Sequence, residues 1–211
     1  MKILFFGDTH GSESFHELLK SKSSEADLVV CVGDLTIFEQ NIEKIIRKLD
    51  SFNKKVLLIN GNHESSSILK ELCVETKNIY FIHKNYFVFE NFVFLGYGGG
   101  GFSDSDNAFD SFAEKFIKQL KILEQENNIK YKIVLLTHAP PINTALDYID
   151  HMDLHVGCKN FRKFIEKYKP LLAVSGHIHE TFDVEEKLFE TIILNPGPMG
   201  KLINTSDILK K

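Results

Sequence analysis

The chain has 211 residues, of which 43% are hydrophobic and 26% are charged. This composition is typical of a globular protein with one hydrophobic core, and we expect residues 1–211 to form a single domain. The formal net charge is -4 at pH 7, and the charged residues are scattered without a basic block. A large nucleic-acid duplex is therefore not an expected partner.

Three widely spaced cysteines, Cys31, Cys73 and Cys158, form no CxxC pair and suit a reducing compartment. The apolar run at 3–6 is too short for the apolar region of a signal peptide. No apolar stretch approaches the roughly 20 residues that a membrane helix needs. The sequence thus predicts a soluble cytoplasmic protein without a membrane partner, and it leaves the oligomeric state open.

Short apolar runs alternate with amphipathic stripes along most of the chain. The runs are rich in branched residues and predict buried parallel strands, whereas the i, i+3, i+4, i+7 spacing of the stripes predicts helices. Such alternation is typical of an α/β fold with right-handed crossovers. The predicted elements are, in chain order, strand 3–6, strand 28–32, helix 42–49, strand 56–59, helix 109–123, strand 133–136, helix 161–168 and strand 171–174.

Two regions break this alternation. Three closely spaced aromatic segments at 79–82, 86–89 and 92–95, with turn candidates between them, predict an antiparallel meander. A similar pair of segments, 181–185 and 191–194, follows the last parallel strand. These segments form either a second sheet stacked on the first or extensions at the sheet edges.

A polar motif follows each of the five predicted parallel strands. Because the carboxyl ends of parallel strands lie along one edge of an open sheet, we expect all five motifs to converge on one site. The motifs are, in chain order, Asp8-Thr9-His10, Gly33-Asp34, Gly61-Asn62-His63-Glu64, Thr137-His138 and Gly176-His177-Ile178-His179.

The motifs offer carboxylates, imidazoles and one amide, and these ligand types favour Mn, Fe, Zn or Ni. Seven candidate ligands are too many for a single ion that keeps a position open for water, but they are enough for two ions that share a carboxylate. Two ions about 3.5–4 Å apart lower the pKa of a bridging water toward about 7 and hold a phosphoryl group for in-line attack. The pattern therefore favours hydrolysis of a phosphate ester.

The motifs DxH, GD, GNHE, TH and GHxH run in this order from residue 8 to residue 179, and together they resemble the calcineurin-like metallophosphoesterase superfamily. The resemblance implies a four-layer α/β/β/α sandwich, in which two mixed sheets lie face to face and are flanked by helices. It also implies that a metal-bridged hydroxide attacks phosphorus opposite the leaving oxygen.

The same resemblance assigns roles to single residues. Asp34 would bridge two divalent transition-metal ions, for which manganese is favoured. His63 would be the catalytic histidine, which contacts the phosphate and protonates the leaving alkoxide, and Asn62 beside it would also contact the substrate. Glu64 either orients His63 or is a surface carboxylate at the start of a helix. The metal ligands implied are Asp8, His10 and His179 for the first ion and Asn62, His138 and His177 for the second.

Simpler explanations exist for single residues of the motifs. Asp8 and Asp34, taken alone, are typical N-cap or turn residues, and Asn62 is a typical turn residue after glycine. Their joint placement after strands favours metal ligation. His16 and His83 lie outside the motifs and are predicted to be surface or packing residues.

The segment 151–157 admits several interpretations. His155 is a candidate substrate contact, because some members of the superfamily have an HxG-like step before the helix that precedes GHxH. The alternatives are a solvated loop and, less favoured, a separate zinc site formed by His151, Asp153 and His155.

A run of glycines extends from Gly98 to Gly101. It lacks the lysine of a nucleotide-binding P-loop, so we interpret it as a turn near the rim of the site rather than as a phosphate cradle. Tyr97 and Phe102, on either side of the run, are candidate walls of that site.

Short connections predict an open site suited to a small phosphodiester or nucleotide. One alternative is a single-strand nuclease, but it would need a basic groove or aromatic stacking platforms, and no lysine cluster lies near the motifs. Another alternative is a non-catalytic metal-binding scaffold of the same fold. Such a scaffold would be expected to lose His63 or several ligands, whereas this chain keeps all of them.

Overall fold

The computed structural model describes residues 1–209, and its strands form two large β-sheets and one small hairpin. The strands are β1 (Lys2–Phe6), β2 (Leu28–Cys31), β3 (Val56–Leu58), β4 (Ile79–Phe81), β5 (Asn85–Phe89), β6 (Phe92–Tyr97), β7 (Lys132–Thr137), β8 (Tyr148–Ile149), β9 (Leu154–His155), β10 (Leu172–Val174), β11 (Glu185–Leu188), β12 (Thr191–Leu194) and β13 (Lys201–Asn204). The α-helices are α1 (Glu13–Ser23), α2 (Ile42–Asp50), α3 (Ser66–Val74), α4 (Asn107–Asn127), α5 (Lys159–Tyr168) and α6 (Thr205–Ile208), and short 3₁₀ helices span Asp150–Met152 and His179–Thr181.

Both large sheets are mixed. The first has the order β13-β1-β2-β3-β4, in which β1 to β4 are parallel and β13 is an antiparallel edge strand. The second has the order β11-β12-β10-β7-β6-β5, in which the four central strands are parallel and both edge strands are antiparallel. Strands β8 and β9 form the separate hairpin.

Three apolar clusters separate the layers of the molecule. Because side chains alternate along a strand, Phe5 of β1 lies between the two sheets with Phe94 of β6, whereas Leu4 packs against helices on the outer face. On the other side of the second sheet, Leu95 packs in a cluster with Phe109 of α4. The predicted four-layer α/β/β/α sandwich is therefore confirmed.

The five predicted parallel strands are present, but they do not lie in one open sheet. Strands β1, β2 and β3 belong to the first sheet, and β7 and β10 belong to the second. The carboxyl ends of both sets meet at the same edge of the sandwich, where the backbone N–H of His177 donates to Asp8 Oδ1 at 3.0 Å. The motifs converge as expected, although two sheets supply them instead of one.

The predicted antiparallel meander is wrong for its first segment. Strand β4 pairs in parallel with β3 in the first sheet, and the antiparallel pair is formed by β5 and β6 in the second. Ile79 is buried in the cluster under the helices, so burial rather than closeness in sequence selects the partner of β4. The chain changes sheets near Lys84, whose φ of 52° produces a sharp turn.

The predicted strand at 181–185 is also wrong. Thr181 ends a 3₁₀ helix, and the strand begins at Glu185 and pairs with β12. The three predicted helices are confirmed as α2, α4 and α5, whereas α1, α3 and β13 were not predicted. None of the helices in residues 1–209 combines the length and hydropathy needed to cross a membrane.

Candidate metal centre

The loops after β1, β2, β3, β7 and β10 bring acidic and histidine side chains together. Within each of three overlapping groups, the candidate ligand atoms lie within 4.8 Å of one another. Because the groups share members, they form one continuous cluster. The groups are Asp8, His10 and His179; His10, Asp34 and His63; and Asp34, His138 and His177.

The first group joins residues from opposite ends of the chain. His10 Nε2 and His179 Nε2 face each other at 3.0 Å. His10 Nδ1 lies 3.2 Å from the carbonyl oxygen of Thr36, which can only accept a hydrogen bond. Nδ1 therefore carries the hydrogen in the neutral ring, and Nε2 offers a lone pair to a metal ion.

The third group has the same design around His138, which is completely buried. Its Nδ1 donates to the carbonyl oxygen of Val32 at 2.8 Å, and its Nε2 lies 2.9 Å from Asn62 Oδ1. The Nε2 atom of His177 is buried and has no hydrogen-bond partner among the described residues. A buried ring nitrogen without a partner, close to a carboxylate, fits a site that holds a cation.

Asp34 belongs to the third group and also faces His10 of the first group. Its Oδ2 is 3.3 Å from His138 Nε2, 4.0 Å from His10 Nε2 and 3.9 Å from His63 Nε2. Its Oδ1 accepts a hydrogen bond from the backbone N–H of His63 at 3.0 Å. One carboxylate thus faces ligands of both groups, as a bridging ligand must.

The backbone of the ligand loops is strained. Asp8, His10, Asp34 and His177 have φ values of 55°, 46°, 52° and 72°, which are rare for residues other than glycine. Such conformations cost of order 1–3 kcal/mol each and persist only where surrounding contacts hold them. Here they turn the ligand side chains toward one another.

Two glycines allow the carboxylates to approach the backbone closely. A Cβ atom at Gly61 would lie 1.9 Å from Asp34 Oδ1, and one at Gly176 would lie 2.3 Å from Asp8 Oδ2. Neither position can accept a side chain without displacing a candidate ligand. The glycines of the GNHE and GHxH motifs are therefore needed for the observed positions of these two candidate ligands.

Glu64 is not a surface carboxylate at a helix start, because it is only 5% exposed. It accepts hydrogen bonds from the backbone N–H groups of Asp34 (3.1 Å), Gly61 (3.0 Å) and Thr36 (2.9 Å). The surface interpretation is therefore wrong. Within the described residues, Glu64 orients the loop of Asp34 rather than the imidazole of His63.

The electrostatics of the cluster favour a positive charge. Burial raises the pKa of Asp34, but the hydrogen bond and charge of His138 outweigh burial and bring this pKa to about 2. Burial lowers the pKa of His138, yet the hydrogen bond and charge of Asp34 raise it to about 9. Burial lowers the pKa of His177 to about 4, so this ring is neutral and free to act as a ligand. A metal ion can replace the proton that His138 otherwise holds.

The structure does not bring His155 to the cluster. Its Nδ1 bonds instead to Asp147 Oδ1 at 2.7 Å, and the buried Asp147 also accepts hydrogen bonds from the backbone N–H groups of Thr144 (2.8 Å) and Gly157 (2.9 Å). His155 therefore helps to fix a loop. An open groove lies over the cluster, and His151 rather than His155 is among the described residues that line it. The lining consists of His10, Asp34, Asn62, His63, Phe102, Ile149, His151, Met152, His177, Ile178, His179 and Glu180.

The less favoured interpretation, a separate zinc site formed by His151, Asp153 and His155, is wrong. Asp153 accepts a hydrogen bond from the hydroxyl of Tyr148 at 2.6 Å, and His151 faces Glu180 at 3.8 Å. In residues 1–209, no potential metal-binding group contains His151, Asp153 or His155.

Of the two candidate walls, one lies at the site. Phe102 is 69% exposed, and its ring centroid lies 4.7 Å from that of His177. Tyr97 is buried, and its hydroxyl donates to Asp106 at 2.9 Å, so it is not a wall. The histidines outside the motifs pack as expected: His16 is buried, and His83 Nδ1 accepts a hydrogen bond from the N–H of Gly98 at 2.9 Å.

One residue beside the site was not singled out from the sequence. Phe38 is 74% exposed, its ring centroid lies 4.6 Å from that of His63, and its backbone N–H points to His63 Nδ1 at 3.4 Å. The available signal was an aromatic residue four positions after Asp34 of the GD motif.

A family model described as calcineurin-like phosphoesterase matches residues 1–181. The chain belongs to this family and is a metal-dependent hydrolase of phosphoric esters. The family implies a pair of divalent ions, and the clustered carboxylate, imidazole and amide donors fit such a pair. An uncharacterized protein of Methanocaldococcus jannaschii is 34% identical over 208 residues, which cover 96% of this chain and 91% of that protein.

Solved structures share the fold at much lower identity. Protein TT1561 of Thermus thermophilus has a TM-score of 0.75 at 16% identity, with 98% of this chain and 95% of that chain covered. Phosphopantetheinyl hydrolase from Mycobacterium tuberculosis has a TM-score of 0.60 at 13% identity, with 93% and 88% covered. A dimetal phosphatase from Danio rerio has a TM-score of 0.58 at 11% identity, with 94% and 88% covered.

Proposed function

We propose that the protein hydrolyses a small phosphodiester or nucleotide ester at two transition-metal ions, preferably manganese, with His63 as the proton donor. The observation that supports this most is the position of Asp34 Oδ2, which lies 3.3 Å from His138 of one ligand group and 4.0 Å from His10 of the other. A shared carboxylate is what a two-ion centre requires. The first ion would bind Asp8, His10 and His179, the second would bind Asn62, His138 and His177, and Asp34 would bridge them.

When bound, the two ions supply Lewis acidity toward the phosphoryl oxygens and lower the pKa of water. The protein's own residues orient the ester and manage the proton. Asn62 Oδ1, 2.9 Å from His138 Nε2, lies beside His63 in the groove over the cluster. Both side chains line this groove, so they can contact the same phosphate.

His63 can deliver a proton to the leaving oxygen through Nε2. The Nδ1 atom of its ring accepts a hydrogen bond from the backbone N–H of Phe38. The backbone N–H of His63 donates to Asp34 Oδ1. Nε2 is therefore the atom that is directed toward the cluster, 3.9 Å from Asp34 Oδ2. His63 also lines the groove through which an ester would approach.

The substrate class is tested with the protein freed of metal and then reloaded separately with Mn, Fe, Zn or Ni. Matched 4-nitrophenyl monoesters and diesters and a cyclic nucleotide are assayed in parallel. We expect diester hydrolysis to exceed monoester hydrolysis, with manganese the most effective ion. Absence of turnover on all three, with two ions bound, would contradict the proposal.

The role of His63 is tested with two leaving groups of different basicity. His63→Ala should reduce hydrolysis of an alkyl diester by about 10²–10⁴-fold, because an alkoxide must be protonated as it leaves. Hydrolysis of the 4-nitrophenyl diester should fall much less, since nitrophenolate leaves without a proton. Equal losses for both esters, with metal content unchanged, would remove His63 from this role.

A single-strand nuclease is the second candidate, favoured by two exposed aromatic rings. Phe38 and Phe102 flank the centre on the His63 and His177 sides, and exposed aromatic rings can stack on bases. However, none of the described residues that line the groove is a lysine or an arginine. Retention of a labelled oligonucleotide that weakens steeply with salt would favour the nuclease.

A further inference from the structure

We propose that a second, apolar pocket beside the first ligand group binds an apolar substituent of the ester, so that the substrate is a diester with one alkyl or aryl arm. This inference rests on the proposed function, because it specifies the substrate of the same site. We call it the Met199 pocket, and its apolar walls are Phe15, Phe182, Pro196, Pro198 and Met199.

The Met199 pocket opens directly onto the metal centre. Asp8, His10 and His179, the three residues of the first ligand group, form one end of it. Its volume is about 480 Å³, which lies within the usual range of small-molecule sites. A substituent of a phosphate ester can therefore enter the pocket while the phosphate itself stays at the cluster.

Hydrogen bonds hold the loop 195–200, which lines part of the pocket. Asn195 Nδ2 donates to the carbonyl of Ile178 and to Thr181 Oγ1, both at 3.0 Å. Lys22 Nζ donates to the carbonyls of Met199 (2.9 Å) and Gly200 (3.0 Å) from outside. These bonds fix backbone on two sides of the pocket, which lowers the entropy cost of binding an occupant.

The chemistry of the walls selects an apolar occupant. None of the described residues that line the pocket is a lysine or an arginine, and its carboxylates are Asp8 and Asp183. Asp183 is paired with Lys201 at 2.9 Å. A second phosphate or another anionic group would find no lysine or arginine in the lining to neutralise it, whereas an alkyl or aryl group would cover exposed apolar surface, including Met199, which is 58% exposed.

The two sides of the centre therefore suit the two arms of a diester. His63, the proposed proton donor, lines the groove on one side together with the polar side chains of His151 and Glu180. The Met199 pocket meets the groove at His10 and His179, which line both, and its apolar walls lie outside the groove. The leaving arm would occupy the groove of His63, and the retained apolar arm would occupy the Met199 pocket.

The test uses two diesters with the same leaving group, 4-nitrophenyl hexyl phosphate and 4-nitrophenyl methyl phosphate. We expect kcat/KM for the hexyl ester to exceed that for the methyl ester by at least about tenfold, mainly through KM, because several methylene groups leave water. Met199→Ser and Phe15→Ala should lower this ratio toward one. The Met199 carbonyl that binds Lys22 belongs to the backbone, so Met199→Ser does not remove that bond.

Val74→Ser is the matched control, because Val74 is 81% exposed and lies in α3, outside the Met199 pocket. This variant should keep the full preference for the hexyl ester. A ratio near one in the unaltered protein, or a preference that survives both pocket variants, would overturn the proposal. So would a dimer that Met199→Ser converts to a monomer while the hexyl preference is unchanged, since the pocket would then be a subunit contact.

A binding measurement separates this proposal from the proposed function. Calorimetric titration of the metal-loaded protein with hexylphosphonate and methylphosphonate reports on the pocket without turnover. If neither diester is hydrolysed, the proposed function fails, and tighter binding of hexylphosphonate that is lost in Met199→Ser would still support the pocket. Equal affinity for both phosphonates would overturn it.

Discussion

The ligand loops and the groove walls differ in how firmly the chain holds them. Asp34 is buried, and its loop is held by the carboxylate of Glu64 through several backbone bonds. Phe38 and Phe102, which flank the same centre, are 74% and 69% exposed. We therefore expect the buried, strained backbone to fix the candidate metal ligands, and the exposed side chains to influence substrate selection.

The largest expected effect is at the shared carboxylate. Asp34→Asn removes the negative charge that faces both ligand groups, so both ions should be lost or weakly held. We expect kcat to fall by at least about 10³-fold, because the Lewis acidity of the ions is worth several kcal/mol. Elemental analysis and kinetics measure the result. Asp207→Asn, at an exposed carboxylate in α6, is the control, and full metal content in Asp34→Asn would contradict a bridging role.

Metal affinity should depend strongly on pH. Without a metal ion, the pKa of His138 is raised to about 9 by Asp34, so below pH 9 a binding ion must displace this proton. Affinity should therefore rise by up to about tenfold per pH unit between pH 7 and 9 and then level off. Competition titrations with a chelator at several pH values measure the slope. A flat profile would show that His138 is not a ligand.

Gly61→Ala should disable the centre by steric contact alone. The new Cβ would lie 1.9 Å from Asp34 Oδ1, and φ at Gly61 is not in the left-handed region. Displacement of a packed group typically costs about 1–3 kcal/mol, and metal affinity should fall with it. Gly101→Ala is a useful comparison, because its φ is 91° but no atom lies within 4 Å of the new Cβ. Unchanged metal affinity in Gly61→Ala would contradict this steric prediction.

Glu64→Gln should weaken the support of the ligand loop. The amide can accept at one oxygen, whereas the carboxylate accepts from Asp34, Gly61 and Thr36 with two. We expect a loss of about 1.5–3 kcal/mol in the free energy of unfolding and a parallel loss of metal affinity. Chemical denaturation measures the first quantity. A variant with normal stability and metal binding but low kcat would instead return Glu64 to a role in orienting His63.

The smallest expected effect is at the groove wall. Phe102→Ala removes an exposed ring that contacts His177, and it should leave stability and metal content close to those of the unaltered protein. KM for an aromatic diester should rise by no more than about tenfold, the range expected for a partly buried apolar contact. Steady-state kinetics with metal analysis measure both. Loss of metal in this variant would contradict the view that exposed side chains beside the centre can change without disturbing the ligand loops.

The sequence predicted the chemistry of the site better than its scaffold. Polar motifs directly after apolar strands identified Asp8, Asp34 and His138 as neighbours, because a strand end fixes where the next residues lie. The apolar runs could not show which sheet each strand joins, since a strand buried on both faces has no periodicity that marks its partner. Strand β13 escaped prediction because its four residues are all half-buried and mix Lys201 and Asn204 with two apolar residues.

Other features depend on contacts between distant segments. Glu64 is next to a predicted catalytic residue in the sequence. It can be buried because backbone N–H groups of the loop after β2 donate hydrogen bonds to it, and the sequence around Glu64 does not reveal these donors. The Met199 pocket combines α1 with residues near 182 and 196–199, so no single motif could indicate it. The metal-binding roles themselves stay predictions, while the convergence of the residues is observed.

The hydrogen bond from the N–H of His177 to Asp8 joins residues 169 positions apart. During synthesis, Asp8 leaves the ribosome long before its partner exists, so a nascent chain holds an incomplete set of ligands for most of translation. Contacts of such long range are also the slow ones to form in folding. The first metal would then be captured in a late step, after β10 has joined the second sheet, and a chain truncated before residue 177 would lack His177 and His179 and could complete neither ligand group.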